Sequence, residues 1–384
     1  MNMPEYFVEF IDLVRHVFST DERIPLHAPC FRGKEKEYVI ETIESTYVSS
    51  VGEYVDLFEK CISDYTGAAF AVATVSGTAA LHIALILSGV RSGDEVITTP
   101  LTFVATCNAI RYCGADPVFV DVERESLGMC PQSLEKYLVN NAEVRDDGLC
   151  WNRNSGKIIR VCLPIHNLGH PAKVREIFGI CNRNKIEVVE DAAESLGSFS
   201  NGIHSGRIGS TAILSFNGNK VITTGGGGAL ITDDENLAIK AKHLTTTAKQ
   251  AHPWFFLHDQ VGYNYRLPNI NAALGCAQIE QISNFVMSKR ELASLYHEWF
   301  IDRGIEFVLE PQDAISNYWL NAIILENRSE RDNFLEFTNN QEVMTRAMWT
   351  PMHTLPMFNK CQRTSLDVAE SIEARLVNIP SSVI

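Results

Sequence analysis

Along the chain, short apolar runs alternate with stretches whose apolar residues recur at helical spacing. Ala69–Thr74, Glu95–Thr98, Asp116–Val120, Ile158–Leu163 and Glu187–Val189 have strand length and β-branched content, and helical patterns separate them. Such alternation predicts an α/β architecture with a mainly parallel sheet covered by helices. Upstream, residues 1–24 read as a short amphipathic helical extension, and Arg23-Ile24-Pro25 marks the entry to a large domain over 25–262. The segment Tyr137–Lys157, rich in Asn, Asp and Glu, reads as a helix end and a solvated loop. After Gly262 the pattern changes to one long helix, Ile270 to Phe300, and then a small α+β domain to residue 384.

A chain of 384 residues exceeds one ordinary core, in keeping with two domains. Its formal net charge of -14 excludes a general nucleic-acid binder, which needs a basic face to displace counterions from phosphates. The ten cysteines stand singly, without a C-x-x-C pair or zinc-type spacing, so reduced thiols and no metal site are expected. Glu5, Glu9, Asp12 and Arg15 interrupt the N-terminal apolar stretch well short of the ~20 residues of a membrane span. A cytoplasmic protein is the expectation.

Four segments carry candidate chemistry. In Thr74-Val-Ser-Gly-Thr-Ala-Ala-Leu, an apolar strand gives way to Ser76-Gly77-Thr78 and then a helix. Free N–H groups at a helix start suit a phosphate, although an N-capped helix without ligand has the same look. Val188-Val-Glu-Asp ends a strand in Glu190-Asp191, where ligands gather in open α/β sheets. A carboxylate there, Asp191 foremost, can keep a pyridine nitrogen protonated, or it can simply cap the next helix. Lys220 lies between apolar strands and Gly225 to Gly228, where partial burial can make an amine nucleophilic. Four glycines in a row imply that backbone or a bulky ligand passes very close. Phe103, after another strand end, could stack on a flat ring.

Taken together, SGTAALH (76–82), GDEVITTPLTFVAT (93–106), GADPVFVDV (114–122), EDAAESLG (190–197), STAILSFNGNK (210–220) and GYNYRLPNINAALG (262–275) resemble the sugar aminotransferases of the DegT/DnrJ/StrS family. The resemblance runs from about Ile24 to the C-terminus and implies the pyridoxal-phosphate transferase fold of type I. It further implies pyridoxal 5'-phosphate as coenzyme, with pyridoxamine 5'-phosphate as its alternate form, and Lys220 as the Schiff-base lysine and proton shuttle. Asp191 would pair with the pyridine nitrogen, Glu194 would lie near the 3-hydroxyl, and Phe103 would stack on the ring. Ser76, Gly77, Thr78 and Ser215 would cradle the phosphate, joined by Asn264 from a neighbouring subunit of a homodimer. The implied reaction passes an amino group from glutamate, leaving 2-oxoglutarate, to a keto-sugar carried on a nucleotide.

Two departures stand out. Gly226 replaces a common glutamate, and Asn167-Leu-Gly-His-Pro is not the usual form. With the helical extension, they look more like the branch that makes 4-amino-4,6-dideoxy-N-acetylhexosamine nucleotides for legionaminic-type acids. His166, Asn167, Arg266, His353 and the His252–His258 loop are candidate substrate contacts, each with a packing role as its plain alternative. A related dehydratase would carry histidine in place of Lys220, and a coenzyme-binding regulator would carry a DNA-binding module. An amino-acid aminotransferase would use a small-domain arginine on the donor carboxylate, for which Arg346 and Arg375 are available.

Overall fold

A computed structural model describes residues 4–384. Seven strands form the main sheet: β1 (Phe70–Thr74), β2 (Glu95–Thr98), β3 (Asp116–Phe119), β4 (Ile159–Cys162), β5 (Glu187–Asp191), β6 (Thr211–Ser215) and β7 (Gly228–Thr232). Their order is β1-β7-β6-β5-β4-β2-β3. The β3-β2-β4-β5-β6 ladder is parallel, and β7 alone runs antiparallel to its neighbours β1 and β6. The sheet is apolar on both faces, which explains the near-continuous hydrophobic strands. Leu81, Ile83 and Leu85 of helix Gly77–Leu87 pack one face against Val161, Val189 and Leu230. Leu134, Val174 and Ile177 cover Ile97, Val118 and Val188 on the other.

The C-terminal part builds a second, antiparallel sheet in the order Glu306–Phe307, Asn321–Ile324, Leu376–Ile379, Arg346–Ala347. The N-terminal helix Tyr6–Phe18 joins this part of the molecule. Its Phe7, Phe10, Ile11 and Val14 share one core with Tyr296, Phe300 and Phe334. Ile24 closes the connection through a parallel bridge to Val343.

Two expectations are corrected. The single helix Ile270 to Phe300 is two, Asn269–Ile279 and Ile282–Ile301, broken at Gln281 with φ −109° and ψ −1°. The first packs on Glu53–Thr66, where Gly275 lies against Phe58, while the second enters the core shared with the N-terminal helix. The stretch expected as loop after Tyr137 holds a hairpin, Ala142–Val144 with Cys150–Asn152, turned at Asp147-Gly148. Among the described residues, no helix is long and apolar enough to cross a membrane.

Candidate active site

Strand ends β1, β5 and β6 open onto one cavity of about 390 Å³. Its lining includes Ser76, Gly77, Thr78, Phe103, Asp191, Glu194, Ser215 and Lys220, residues spread over more than 140 positions of sequence. At the anion end, Ser76 caps helix Gly77–Leu87 by accepting the Ala79 N–H at 3.1 Å. That leaves the N–H groups of the first turn facing the cavity, at the positive end of the helix dipole.

The glycines have local reasons. A Cβ on Gly228 would come within 2.5 Å of Gly77 N, so β7 can run beside the cradle only without a side chain. A Cβ on Gly77 would meet Ser215 Cβ at 2.9 Å, which is why cradle and β6 can touch. Gly226 lines the cavity, and a Cβ there would meet nothing within 4 Å.

Asp191 ends β5, buried, with Oδ2 accepting from the Thr106 hydroxyl at 2.8 Å and Oδ1 from the Ala193 N–H at 3.2 Å. Burial raises its pKa above the ordinary carboxylate value, against the pull of Thr106, Ala193 and Lys220. Glu194 is also buried and also raised by burial, with Lys220 and the Leu168 N–H opposing. Its Oε2 accepts from Leu168 N at 2.9 Å and its Oε1 lies 3.2 Å from Lys220 Nζ. The amine sits 3.7 Å from the centroid of the Trp319 ring, in cation–π contact.

Trp319 is itself pinned. Its indole N–H donates to Asn219 O at 2.5 Å, and its backbone N–H donates to Asn317 Oδ1 at 2.8 Å. Its carbonyl accepts from Lys289 Nζ at 3.1 Å, a fully buried amine whose pKa burial pushes down to about 7. Residue 219 is thus fixed by the C-terminal part of the chain, beside Lys220.

Of the other sequence candidates, His166, Asn167, Arg266 and His353 do not line this cavity. His166 is buried behind β5: Nδ1 accepts the Ala172 N–H at 3.0 Å, so Nε2 carries the proton to Glu190 Oε2 at 2.9 Å. Burial raises the Glu190 pKa, but His166 and the N–H groups of Gly209 and Ile208 outweigh it and hold the carboxyl below its usual value. Asn167 ties Leu101 O and Leu127 O together at 3.0 and 2.7 Å. Arg266 bridges to Thr74 beside the cradle, and His353 bonds Glu370 at 3.0 Å. These residues buttress the site from outside its lining. Asn264 is exposed at the chain's surface. The sequence reading missed Thr106, Trp319 and Trp349. Thr106 follows Phe103 by one helical turn, a usable signal; the tryptophans gave none, being about 100 residues or more from Lys220.

An acid able to pair with a ring cation, an amine in the loop after β6, an anion cradle and an exposed aromatic converge on one small volume, as a pyridine-aldehyde phosphate requires. The family model of the DegT/DnrJ/EryC1/StrS aminotransferases matches residues 29–383. The chain belongs to that family: it is a pyridoxal-phosphate-dependent aminotransferase acting on nucleotide sugars. It is 35% identical over 358 residues to a GDP-perosamine synthase of Escherichia coli O157:H7, covering 93% of each chain. A GDP-perosamine synthase of Vibrio cholerae is 32% identical over 361 residues, covering 93% of this chain and 94% of the relative. Among solved structures, the aminotransferase TlmJ from Streptoalloteichus hindustanus superposes with a TM-score of 0.84 at 25% identity, covering 93% of each chain.

Proposed function

We propose that this enzyme transfers an amino group from glutamate to C4 of a nucleotide-linked 4-keto-6-deoxyhexose. The observation that carries this reading is the 35% identity, over 93% of both chains, to a GDP-perosamine synthase. Perosamine synthases are C4 aminotransferases. The legionaminic-type N-acetylhexosamine substrate remains the second reading, resting on the sequence departures at Gly226 and Asn167.

The bound coenzyme supplies an electron sink. Asp191 would hold its ring nitrogen, and the Ser76–Thr78 turn with Ser215 would hold its phosphate. Phe103, 56% exposed here, is free to lie over the ring. Lys220 Nζ moves a proton to and from the substrate carbon that bears the amino group, and Glu194 at 3.2 Å holds that amine in line. Trp319 covers the amine and excludes water.

We propose further that the working unit is a homodimer in which Asn264 of each copy reaches the phosphate bound by the other. Support comes from its exposure and from an apolar surface nearby, with Trp254 74%, Phe256 79% and Val261 82% exposed.

The test is to incubate enzyme and L-glutamate with GDP-, UDP- and dTDP-linked 4-keto-6-deoxy sugars, including N-acetylated ones, and with 3-keto isomers, following 2-oxoglutarate. A 4-keto substrate should be turned over fastest. Turnover of 3-keto sugars alone would overturn the C4 reading.

A further inference from the structure

Helix Ile282–Ile301 carries an amine with no part in the chemistry of Lys220 and Asp191. Lys289 is fully buried, and among the described residues no carboxylate pairs with it. Its Nζ donates instead to two carbonyls from separate segments, Trp319 O at 3.1 Å and Ser381 O. Ser381 is itself fixed: its hydroxyl accepts the Asn321 N–H at 2.8 Å, and its own N–H donates to Leu26 O at 2.7 Å. His27, next to Leu26, feels the charges of both Lys289 and Lys220, and its two ring nitrogens are buried without a partner. Burial, then those two amines, holds its pKa well below the usual imidazole value, so it stays neutral and gives Lys289 no counter-charge. Arg290, the next residue on the helix, is engaged with Glu310 at 2.6 Å, and Lys220 faces Glu194 at 3.2 Å.

An ammonium withdrawn from water without a counter-ion is costly, and an apolar side chain of similar length would fill the same space without that cost. The ammonium sits where two carbonyl dipoles converge, and one of them belongs to the residue whose ring lies 3.7 Å from Lys220 Nζ. We infer that Lys289 is a positioning residue of the reaction: its ammonium anchors the backbone at Trp319, which holds the indole over the Lys220 amine and keeps that wall of the cavity shut. Three bonds transmit the constraint. Lys289 fixes Trp319 O, Asn317 Oδ1 fixes the Trp319 N–H at 2.8 Å, and the indole N–H reaches Asn219 O, one residue before Lys220. Charge matters here beyond fit, because a charge-assisted hydrogen bond is stronger than a neutral one. Lys289 loses that advantage on deprotonation, a step that burial brings down to about pH 7. The indole is therefore held firmly below that pH and loosened above it.

The inference does not depend on which sugar is accepted, and its first test needs neither sugar nor coenzyme. In cofactor-free protein, the acrylamide quenching assigned to Trp319, taken as the difference from Trp319→Phe protein, should be weak below about pH 7 and rise above it. The near-ultraviolet circular dichroism of Trp319 and Trp349, parallel within 14° at 6.4 Å, should change in the same step. Lys289→Met should give the loosened signals at every pH. Lys220→Ala should keep the step, because the titrating group is neither Lys220 nor Glu194 beside it. In the loaded enzyme, conversion of the coenzyme by glutamate alone should be about 10- to 100-fold slower at saturation in Lys289→Met, the span of one charge-assisted hydrogen bond. The glutamate concentration for half-saturation should stay within about threefold of wild type, since the lost group acts on the position of the amine and not on binding. Should Lys289→Met fail to fold, the steps in wild type and in Lys220→Ala decide alone. Absence of a step near pH 7 in wild type, a step that vanishes with Lys220, or a folded Lys289→Met enzyme with the wild-type limiting rate would each overturn the inference.

Discussion

At Asp191 the cofactor-free fold holds a buried carboxyl whose pKa is raised by burial. The sign of its effect on stability follows. Between the ordinary carboxylate value and the raised one, the folded chain keeps a proton that the unfolded chain releases. This residue's contribution is therefore favourable below that window and is lost as pH rises through it. Asp191→Asn removes the charge and can still accept from the Thr106 hydroxyl. Cofactor-free Asp191→Asn should be more stable than wild type at pH 8 by about 1–3 kcal/mol, the scale of one unpaired buried charge. The gain should shrink as pH falls, and catalysis should be lost. Thermal melts of the cofactor-free pair across pH 5–8 measure this; a variant less stable at every pH would mean the carboxylate is compensated within the chain.

The place of Asp191 was legible in sequence because it closes a strand with an acid, and that of Lys220 through the glycine run that follows it; the structure brings both to one cavity. Trp319 was not, since nothing in residues 316–320 says that this loop folds over Lys220. His166 read as a candidate substrate contact, but the Ala172 N–H and Glu190 consume both of its ring nitrogens.

Among the elements, five strands read from apolar runs fall where the main sheet has them, whereas β6 and β7 lay inside the segment read for its lysine and glycines. The missed hairpin had a signal in Asp147-Gly148, with Gly148 at φ 76°, but its strands are only three residues long. The break at Gln281 carries neither glycine nor proline. It arises because the two helices it joins belong to different cores, a fact of packing that periodicity does not register.

The N-terminal helix shows the reverse case, an amphipathic pattern whose apolar face found its partner in the C-terminal part of the chain. Phe10 is fully buried among Tyr296, Trp299, Phe300 and Phe334, at centroid distances of 5.2 to 6.3 Å. Phe10→Ala should cost about 3–5 kcal/mol, as for other buried aromatics. Since this helix supplies no residue of the cavity lining, folded Phe10→Ala enzyme should retain the coenzyme's visible spectrum at low temperature while its denaturation midpoint falls. A loss of coenzyme without loss of stability would show that the helix acts on the site directly.

At the scale of the molecule, the cavity brings cradle, acid, amine and an arginine together within one chain, yet Asn264 does not line it. If two copies exchange Asn264, then Lys220→Ala and Asn264→Ala damage the same site in different chains. Each homodimeric variant should be impaired, the first wholly and the second mainly at limiting coenzyme. In a mixed dimer, one site has Lys220 from the Asn264→Ala chain and Asn264 from the Lys220→Ala chain, so it is intact, and the other site lacks both. Random exchange of equal amounts makes half of the dimers mixed, each with one working site of two. About a quarter of wild-type activity per subunit should therefore appear at limiting coenzyme, rising with the extent of exchange. If Asn264 acted only in its own chain, mixing would leave the Lys220→Ala chains dead and the Asn264→Ala chains as impaired as before, and activity would merely average. The exposed Trp254 and Phe256 supply an independent check, because their emission and near-ultraviolet signals should change with protein concentration if this apolar loop is covered on association.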